Sequence, residues 1–333
     1  MEFMNSHLLS LILFLPTFAA LVIFFLPKDE LKLIRWTALL ASLVPFALSI
    51  VLWTSFQSDA IGYQFEEKYT WYAAINSTLH LGVDGLSLTM VLLTTLLTPL
   101  AILASFSISD RVKAYMMLFL FLETGLLGVF MALDLLIFFL FWEVELVPMY
   151  FLINQWGGAN KNYASMKFMI YTMGGSLGLL LGIQLLGVLF GTFDLVAVTE
   201  KWTTASGSLL GFPIESVKTV IFWAFVVAFA VKVPVWPFHT WLPDAHTEAP
   251  TAGSMLLAGV MLKLGAYGFL RLVLPLYPEQ ANTYAGALAF LAVAAIVFGA
   301  FAAYGQTDFK RLVAYSSVNH MGFVLLGVAA AAK

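Results

Sequence analysis

The sequence predicts an all-α fold, a bundle of helices that crosses the bilayer many times. Of its 333 residues, 61% are hydrophobic and 11% are charged, whereas a soluble domain carries about 25% charged residues. The mean hydropathy is +0.93, and the apolar residues fall into stretches of about 20 residues, the length that spans a bilayer. No linker separates these stretches, so we expect one transmembrane domain over residues 1–333.

Ten spans are predicted along the chain, and the polar stretches between them set their limits. The first is expected to remain as a span, because no basic segment precedes it and no small-residue cleavage site ends it. The two longest polar segments, 56–82 and 191–216, are predicted to be surface loops with short strands or amphipathic turns. The ten predicted spans lie near 8–26, 32–55, 85–105, 113–133, 134–153, 165–190, 217–238, 253–275, 284–303 and 310–330.

Basic residues predict the orientation, because cytoplasmic loops are enriched in lysine and arginine. Nine basic residues lie in or beside the connections after spans 1, 3, 5 and 9, and four lie on the opposite side. The N-terminus is therefore predicted on the non-cytoplasmic side. The nine are Lys28, Lys32, Arg35, Arg111, Lys113, Lys161, Lys167, Lys310 and Arg311, and the four are Lys68, Lys201, Lys218 and Arg271.

Composition also limits the chemistry of the chain. With no cysteine, it forms no disulfide and supplies no cysteine ligand for zinc or for an iron–sulfur cluster. No dinucleotide glycine fingerprint follows a predicted strand, so we expect no flavin, quinone or other cofactor site in this chain. The net charge of −3 and the lack of a basic run give no indication of nucleic-acid binding.

The segment from Ala230 to Lys263 differs from the other spans because prolines interrupt it. Pro234 and Pro237 predict a discontinuous helix near 217–250, since proline removes a backbone hydrogen bond. Broken helices in membranes border protein or water-filled cavities, so we expect unpaired carbonyls here that order water. Four titratable residues follow the break, namely His239, Asp244, His246 and Glu248. We predict no metal site, because the intervening Pro243 and the lack of cysteine argue against one.

Two lysines lie within predicted spans rather than in loops, Lys232 in span 7 and Lys263 in span 8. A lysine at the centre of a span costs roughly 2.5–3.5 kcal/mol, so each indicates a functional site. A side chain that snorkels to the membrane surface is the alternative, and it applies more to Lys232, near the end of its span. Close helix packing is predicted around Lys263 by Gly253, Gly259, Gly265 and Gly268.

Spans 4 and 5 contain the candidate partners of a buried cation. Glu143 and Glu145 in span 5 are two residues apart, about 200° around a helix, so only one can face a given partner and the other faces a helix seam. Glu123 in span 4 is a third intramembrane carboxylate. A neutral glutamate that hydrogen-bonds a neighbour is the alternative for each of them.

Two further polar residues lie in span 10 and just before span 3. His320 in span 10 follows Ser316, Ser317 and Asn319, and it is either a proton relay or a hydrogen-bonded packing residue. The sequence leaves both interpretations open. Asp84, just before span 3, is predicted to be a helix N-terminal acid with a structural role.

Three segments resemble the antiporter-like subunits of respiratory complex I, the proton-pumping NADH:quinone oxidoreductase. They are FWEVELVPMYFL, AFAVKVPVWPFHTWLPDAHTEAPTAGSMLLAGVMLKLGAYG and TDFKRLVAYSSVNHMGF. The segment HTWLPDAHTEAP is shared with a wider group that includes multiple-resistance-type cation/proton antiporters and membrane-bound hydrogenases. The segments GVDGLSL and LETGLLGVFMALDLLIFF favour the subunit M (chain 4) type, and the resemblance covers the whole chain.

The resemblance implies an architecture that the residues alone do not. After three N-terminal spans in 1–112, an inverted pair of five-helix repeats is expected, spans 4–8 over 113–275 and a second repeat of which 284–333 is the start. Relatives have more spans, so the sequence is expected to be a fragment of a longer subunit. The implied proton relay is Glu143, which pairs with Lys232, then Lys263 and His320, with Glu123, His239 and His246 as secondary candidates.

On this resemblance, the chain is expected to be a non-redox, proton-translocating subunit of the complex in a bacterial plasma membrane. Its partners would be other membrane-arm subunits, especially the two other antiporter-like subunits, and the flavin, iron–sulfur clusters and quinone would belong to partner subunits. The alternatives are a subunit of a multiple-resistance-type sodium/proton antiporter, an unrelated solute transporter and a structural scaffold. The electron donor, the proton stoichiometry and the roles of Glu123 and Glu145 do not follow from the sequence.

Overall fold

The computed structural model describes residues 6–209 and 211–333, and most of them are helical. In chain order the elements are α1 (Leu8–Phe25), α2 (Leu31–Ser55), β1 (Gln64–Tyr72), β2 (Ser77–Val83), α3 (Gly85–Ala104), α4 (Val112–Met131), α5 (Leu135–Val144), α6 (Leu146–Trp156), α7 (Lys161–Phe190), α8 (Leu195–Thr204), β3 (Ser208–Leu209), β4 (Phe212–Pro213), α9 (Ile214–Lys232), α10 (Trp241–Glu248), α11 (Thr251–Leu276), α12 (Pro278–Tyr304) and α13 (Phe309–Ala331). Short 3₁₀ turns follow β1 and α3.

Ten helical spans within the described residues are long and apolar enough to cross a membrane. The predicted fold class is therefore confirmed, with α5 and α6 together forming the fifth span. Most predicted limits agree with the helices to within a few residues. The prediction for span 7 was too long at its end, because α9 ends at Lys232 rather than near residue 238.

The chain divides into two compact units. The first unit consists of the residues up to Gly157 together with Ala249–Val260, and the second consists of Gly158–Glu248 together with Met261–Lys333. Helix α11 therefore contributes its first part to one unit and its second part to the other.

In the first unit, a β-hairpin closes the start of α1. The segment 56–82 was predicted to be a loop with short strands, and its strands β1 and β2 pair antiparallel. The buried Glu67 of β1 accepts hydrogen bonds from the backbone N–H groups of Leu9 (2.7 Å) and Ser10 (3.2 Å). Because the first N–H groups of a helix have no partner within the helix, this carboxylate satisfies donors that would otherwise be buried without an acceptor.

Two aspartates fix the starts of spans in the same unit. Asp84 caps α3 by accepting a hydrogen bond from the backbone N–H of Ser87 at 2.9 Å, so its predicted structural role is confirmed. Asp134 caps α5 through the N–H groups of Leu136 and Ile137 and also accepts from Thr78 of the hairpin. Burial raises the pKa of Asp134, and these hydrogen bonds oppose that rise.

The second unit contains α7–α10, the second part of α11, α12 and α13. Its polar segment 191–216 contains the predicted short strands, β3 and β4, but also the ten-residue helix α8, which was not predicted. Helices α12 and α13 pack closely, and the side-chain amide of Asn319 donates to the backbone carbonyl of Ile296 at 2.7 Å. This bond satisfies one polar group of the patch predicted on span 10.

Candidate functional site

The break after α9 has a defined hydrogen-bond structure. Pro234 has no N–H group to donate to Ala230, so the Ala230 carbonyl accepts from the N–H of Val235 instead, at 2.9 Å. The Val231 carbonyl accepts from the indole N–H of Trp241 at 2.8 Å. The expectation that this break leaves unpaired carbonyls to order water is therefore wrong at Ala230 and Val231, because protein donors occupy both.

Lys232 is the last residue of α9, and only 2% of its surface is exposed. It was predicted near the end of span 7, and the helix ends at this residue, about six residues earlier than predicted. The same burial argues against the snorkelling alternative, because a snorkelling amine would extend out of the protein. A buried amine costs free energy unless it is hydrogen-bonded or paired, so we expect polar partners for Lys232 at this end of α9.

Lys263 lies on α11 between two π-helical stretches, Leu257–Met261 and Phe269–Val273, and it is half-buried. Such wide turns interrupt the regular hydrogen-bond ladder and occur frequently at functional sites. A methyl group added at Gly265 would lie 2.8 Å from the backbone oxygen of Phe229 and 2.9 Å from the backbone nitrogen of Val233. The helix that bears Lys263 therefore packs directly on the end of α9, next to Lys232.

The predicted glycine packing around Lys263 is only partly correct. Gly268 lies against the ring of Phe229 in the second unit, and Gly259 lies against Leu97 in the first. At Gly253, however, the nearest atoms belong to Pro250 of the same turn, so this glycine does not mark a close contact between helices.

In the first unit, the fifth span is irregular where its two glutamates lie. Glu145 falls between α5 and α6, and Pro148 three residues later lacks the N–H that would bind the carbonyl of Val144. Glu145 is fully buried beside α4, where a methyl group added at Gly125 would lie 2.8 Å from its Cβ atom. Glu143 is only half-buried. The two acids thus have different surroundings, as their spacing predicted, and Glu145 is the one at the helix seam.

Glu123 is the third of the predicted intramembrane acids. It lies on α4 with no exposed surface, and neither carboxyl oxygen has a hydrogen-bond partner among residues 6–209 and 211–333. The unpaired carboxyl differs from the hydrogen-bonded acid that the sequence left as an alternative.

Asp244 is the centre of a charge cluster in the second unit that the sequence did not predict. Its carboxylate accepts from Lys167 of α7 at 2.7 Å and from Arg311 of α13 at 3.0 Å. Each residue was recognised as charged, but their sequence separations of 67 and 77 residues gave no indication of contact. The only related prediction from the sequence was that Lys167 and Arg311 lie on the same, cytoplasmic side of the membrane.

Further bonds hold the C-terminal end of α10. The ammonium of Lys310 donates to the carbonyl of Thr247 at 3.0 Å, the position at which a cation also stabilises the helix dipole. The carboxylate of Glu248 accepts from the backbone N–H of Asn160 at 2.9 Å. Helix α10 is therefore held by side chains or backbone at the starts of α7 and α13.

The two histidines of this region are kept uncharged. Burial, and then the charge of Lys310, lower the pKa of His246 to about 4. Burial and the charge of Lys167 lower the pKa of His239, and its Nδ1 atom is buried with no hydrogen-bond partner in the described part of the chain. Both side chains are therefore neutral at pH 7, the form that can accept a proton.

His320 is exposed on α13, and its Nδ1 atom is 2.6 Å from the carbonyl oxygen of Ser316. The structure thus brings α9 and α11 together at the two lysines and gathers α7, α10 and α13 around Asp244. The predicted pairing of Glu143 with Lys232 stays a prediction, as does the place of His320 in a relay.

These features define a class of protein, a polytopic α-helical membrane protein with basic groups buried at a broken helix. A profile of the family described as "NADH:quinone oxidoreductase/Mrp antiporter, TM" matches residues 132–333. The chain is 42% identical to NADH-quinone oxidoreductase subunit M of Rhodobacter capsulatus over 98% of its length and 65% of that protein. The chain therefore belongs to the NADH:quinone oxidoreductase/Mrp antiporter transmembrane family.

Other similarities agree with this assignment. NAD(P)H-quinone oxidoreductase chain 4 1 of Nostoc is 42% identical over 96% of the chain and 58% of that protein. The solved respiratory complex I from Thermus thermophilus with bound NADH contains a chain of similar fold, with a TM-score of 0.83 and 29% identity over 96% of this chain and 64% of that one. The chain thus spans about two thirds or less of the length of each of these relatives.

Proposed function

We propose that this chain is part of a proton-translocating membrane-arm subunit of complex I or a close relative. The observation that carries the proposal is Lys232, an amine-bearing side chain buried where a membrane helix is broken. Ionisable groups inside membranes occur at ion and proton pathways. The names of the Rhodobacter and Nostoc relatives support an NADH- or NAD(P)H-quinone oxidoreductase as the enzyme to which the subunit contributes.

The proposed relay begins with Glu143 and Lys232, continues to Lys263 and reaches His320, with Glu123, His239 and His246 as secondary sites. Close packing of α11 on α9 supports the step between the two lysines. In this scheme, carboxylate Glu143 holds Lys232 in its charged form, and a change in a neighbouring subunit weakens the pair. Lys232 then releases its proton through water towards Lys263.

The energy of a partly buried ion pair is similar to the energy needed to move one proton against the membrane potential. Moving one charge against a membrane potential of ~200 mV requires about 4.6 kcal/mol. Two unit charges 4 Å apart interact by about 4 kcal/mol at an effective dielectric constant near 20. Making or breaking one partly buried ion pair therefore changes the free energy by an amount comparable to that needed to move a single proton.

The cluster at Asp244 is proposed to hold the end of the pathway that faces the cytoplasm. Helix α10 follows the break that bears Lys232, and Asp244 ties it to α7 and α13. The neutral His239 lies just before α10, and the neutral His246 lies within it. Each of them can accept a proton from water. The positive-inside distribution of charge supports this orientation, with the N-terminus on the non-cytoplasmic side of a bacterial plasma membrane.

The subunit would have no redox centre of its own. We propose that flavin, iron–sulfur clusters and quinone belong to partner subunits and that the partners in the membrane include the two other antiporter-like subunits. A second candidate function is a subunit of a sodium/proton antiporter, which the description of the matching family favours equally. In that case the same buried groups would act without redox chemistry.

The experiment replaces Lys232 by methionine and measures the ratio of protons moved to electrons transferred by the assembled complex in vesicles. Lys201→Met is the matched control, because Lys201 is an exposed residue in the last turn of α8. We expect Lys232→Met to lower the ratio and the control to keep the normal value. An unchanged ratio in Lys232→Met would refute the relay, and proton transfer driven by sodium rather than by NADH oxidation would support the antiporter.

A further inference from the structure

A groove runs between α1 and α4 in the first unit. Its volume is ≈ 730 Å³, within the range of about 300–1,000 Å³ that is typical of ligand sites. A hydrogen bond of 2.8 Å between the hydroxyl groups of Thr17 and Thr124 joins the two helices beside it. Its apolar walls are formed by Ala20, Leu21, Phe24, Met117, Leu118 and Phe121.

Two basic residues line the groove at one end only. Arg111 immediately precedes the first residue of α4, and Lys113 lies in the first turn of that helix. The ammonium of Lys113 donates to the carbonyl of Leu26 at 2.8 Å and lies 5.4 Å from the centre of the Phe24 ring. These contacts fix the position of the ammonium at the ends of both spans, and neither of them neutralises its charge.

The guanidinium of Arg111 is exposed over 64% of its side chain. It donates to the side-chain oxygen of Gln155 at 2.7 Å, and its Nε atom is 4.0 Å from a carboxylate oxygen of Asp110. Asp110 offsets part of this charge but is itself 74% exposed, so its effect is weakened by water. The end of the groove therefore presents basic groups to whatever occupies it.

We propose that this groove binds one acidic phospholipid, with an acyl chain along the apolar walls and the phosphate at Arg111 and Lys113. The helices that form it span the membrane, so hydrocarbon chains surround its opening. The positive-inside distribution predicts this end on the cytoplasmic side, where the lipid leaflet is rich in anionic headgroups. Charge complementarity favours a lipid over a helix of a neighbouring subunit, which would need its own carboxylates opposite the two basic residues.

Selectivity should come from the headgroup. An acyl chain gains little by moving from the bilayer into an equally apolar groove. Each basic residue near the membrane surface attracts the negative headgroup of an acidic lipid. Two such residues together should give a preference of about 30-fold for an acidic over a zwitterionic phospholipid. Removing both basic residues should abolish this preference, whereas filling the groove should exclude any lipid.

The lack of native cysteine allows a single reporter thiol. Ala114→Cys places it in the groove, and Ala104→Cys places it on an exposed position at the end of α3 outside the groove. Each variant of the full chain is labelled with a bimane fluorophore and placed in nanodiscs of phosphatidylcholine that contain brominated phosphatidylglycerol or brominated phosphatidylcholine. Bromine quenches the label only at contact distance.

We expect the label at position 114 to be quenched at about 30-fold lower mole fraction of the acidic lipid than of the zwitterionic one. Arg111→Gln with Lys113→Gln should remove this difference. Lys28→Gln with Lys32→Gln, which removes two exposed basic residues that do not line the groove, should preserve it, and position 104 should show no preference. Equal quenching by both lipids at position 114 would overturn the proposal.

A second measurement addresses the assembled complex. A photoreactive maleimide on the Ala114→Cys chain is activated in native membranes, and the mass of this chain is then determined. An added phospholipid mass supports the proposal. An adduct with another polypeptide would overturn it, because the groove would then be an interface between subunits.

Discussion

The cluster at Asp244 leads to a quantitative prediction for Asp244→Asn, a substitution that preserves size and removes the charge. The pair with Lys167 is largely buried, since 18% of each side chain is exposed. Removing one member of a buried pair costs about 3–5 kcal/mol because the other charge is left unpaired, and partial exposure reduces this to about 2–3 kcal/mol. The pair with Arg311, whose side chain is 46% exposed, adds less than about 1 kcal/mol. The expected loss is therefore about 3 kcal/mol.

This loss should be measured as a fall of several degrees in the midpoint of thermal unfolding in detergent. Asp308→Asn is the matched control. Asp308 caps α13 through the backbone N–H of Arg311 at 2.8 Å, and asparagine caps a helix as well as aspartate does. An equal fall in both variants, or no fall in Asp244→Asn, would refute the reasoning that this cluster holds α10 in place.

Three further predictions concern other parts of the chain. The folded pKa of His246, about 4, lies below its ordinary value of 6.5, so its contribution to stability is complete above pH 6.5 and is lost as the pH falls to about 4. The loss should be about 3 kcal/mol, and His246→Gln should flatten this part of the unfolding profile; an unchanged profile would contradict the burial argument. Gly265→Ala should destabilise the second unit by about 1–3 kcal/mol, because its methyl group would contact Phe229, and unaltered unfolding would show that α11 can shift without cost. Glu67→Gln should lower the free energy of unfolding by about 1–3 kcal/mol, because it weakens the acceptor at the start of α1; an unchanged free energy of unfolding would contradict this role.

The parts of this fold that could be predicted depend on composition and local pattern. The ten spans follow from hydropathy, and the proline break follows from residues close together in the chain. Asp84 was predicted to be a helix N-terminal acid for the same reason, and the Ser87 N–H that it accepts from is only three residues away. Such features need no knowledge of how distant segments meet.

The parts that could not be predicted depend on distant contacts. Glu67 lies in a segment that hydropathy describes only as polar, and its role appears only when β1 reaches the start of α1. In the sequence, Asp244 is one of several charged residues after the break. Its pairing with Lys167 of α7 and Arg311 of α13 is seen only in the folded structure. At the break, the indole N–H of Trp241 donates to the carbonyl of Val231, ten residues earlier. The positions of the prolines do not indicate this hydrogen bond. Tertiary structure, rather than local preference, decided each of these cases.

The most direct test of the proposed mechanism is a double-mutant cycle of Glu143→Gln and Lys232→Met, read as the rate of proton translocation by the complex. Residues that act as one unit give losses that do not multiply. If the two side chains form one switch, either substitution alone should abolish most of the translocation, and the double variant should lose no more than the worse single variant. Losses that multiply in the double variant would show that the two groups act independently, and the proposed switch would be wrong.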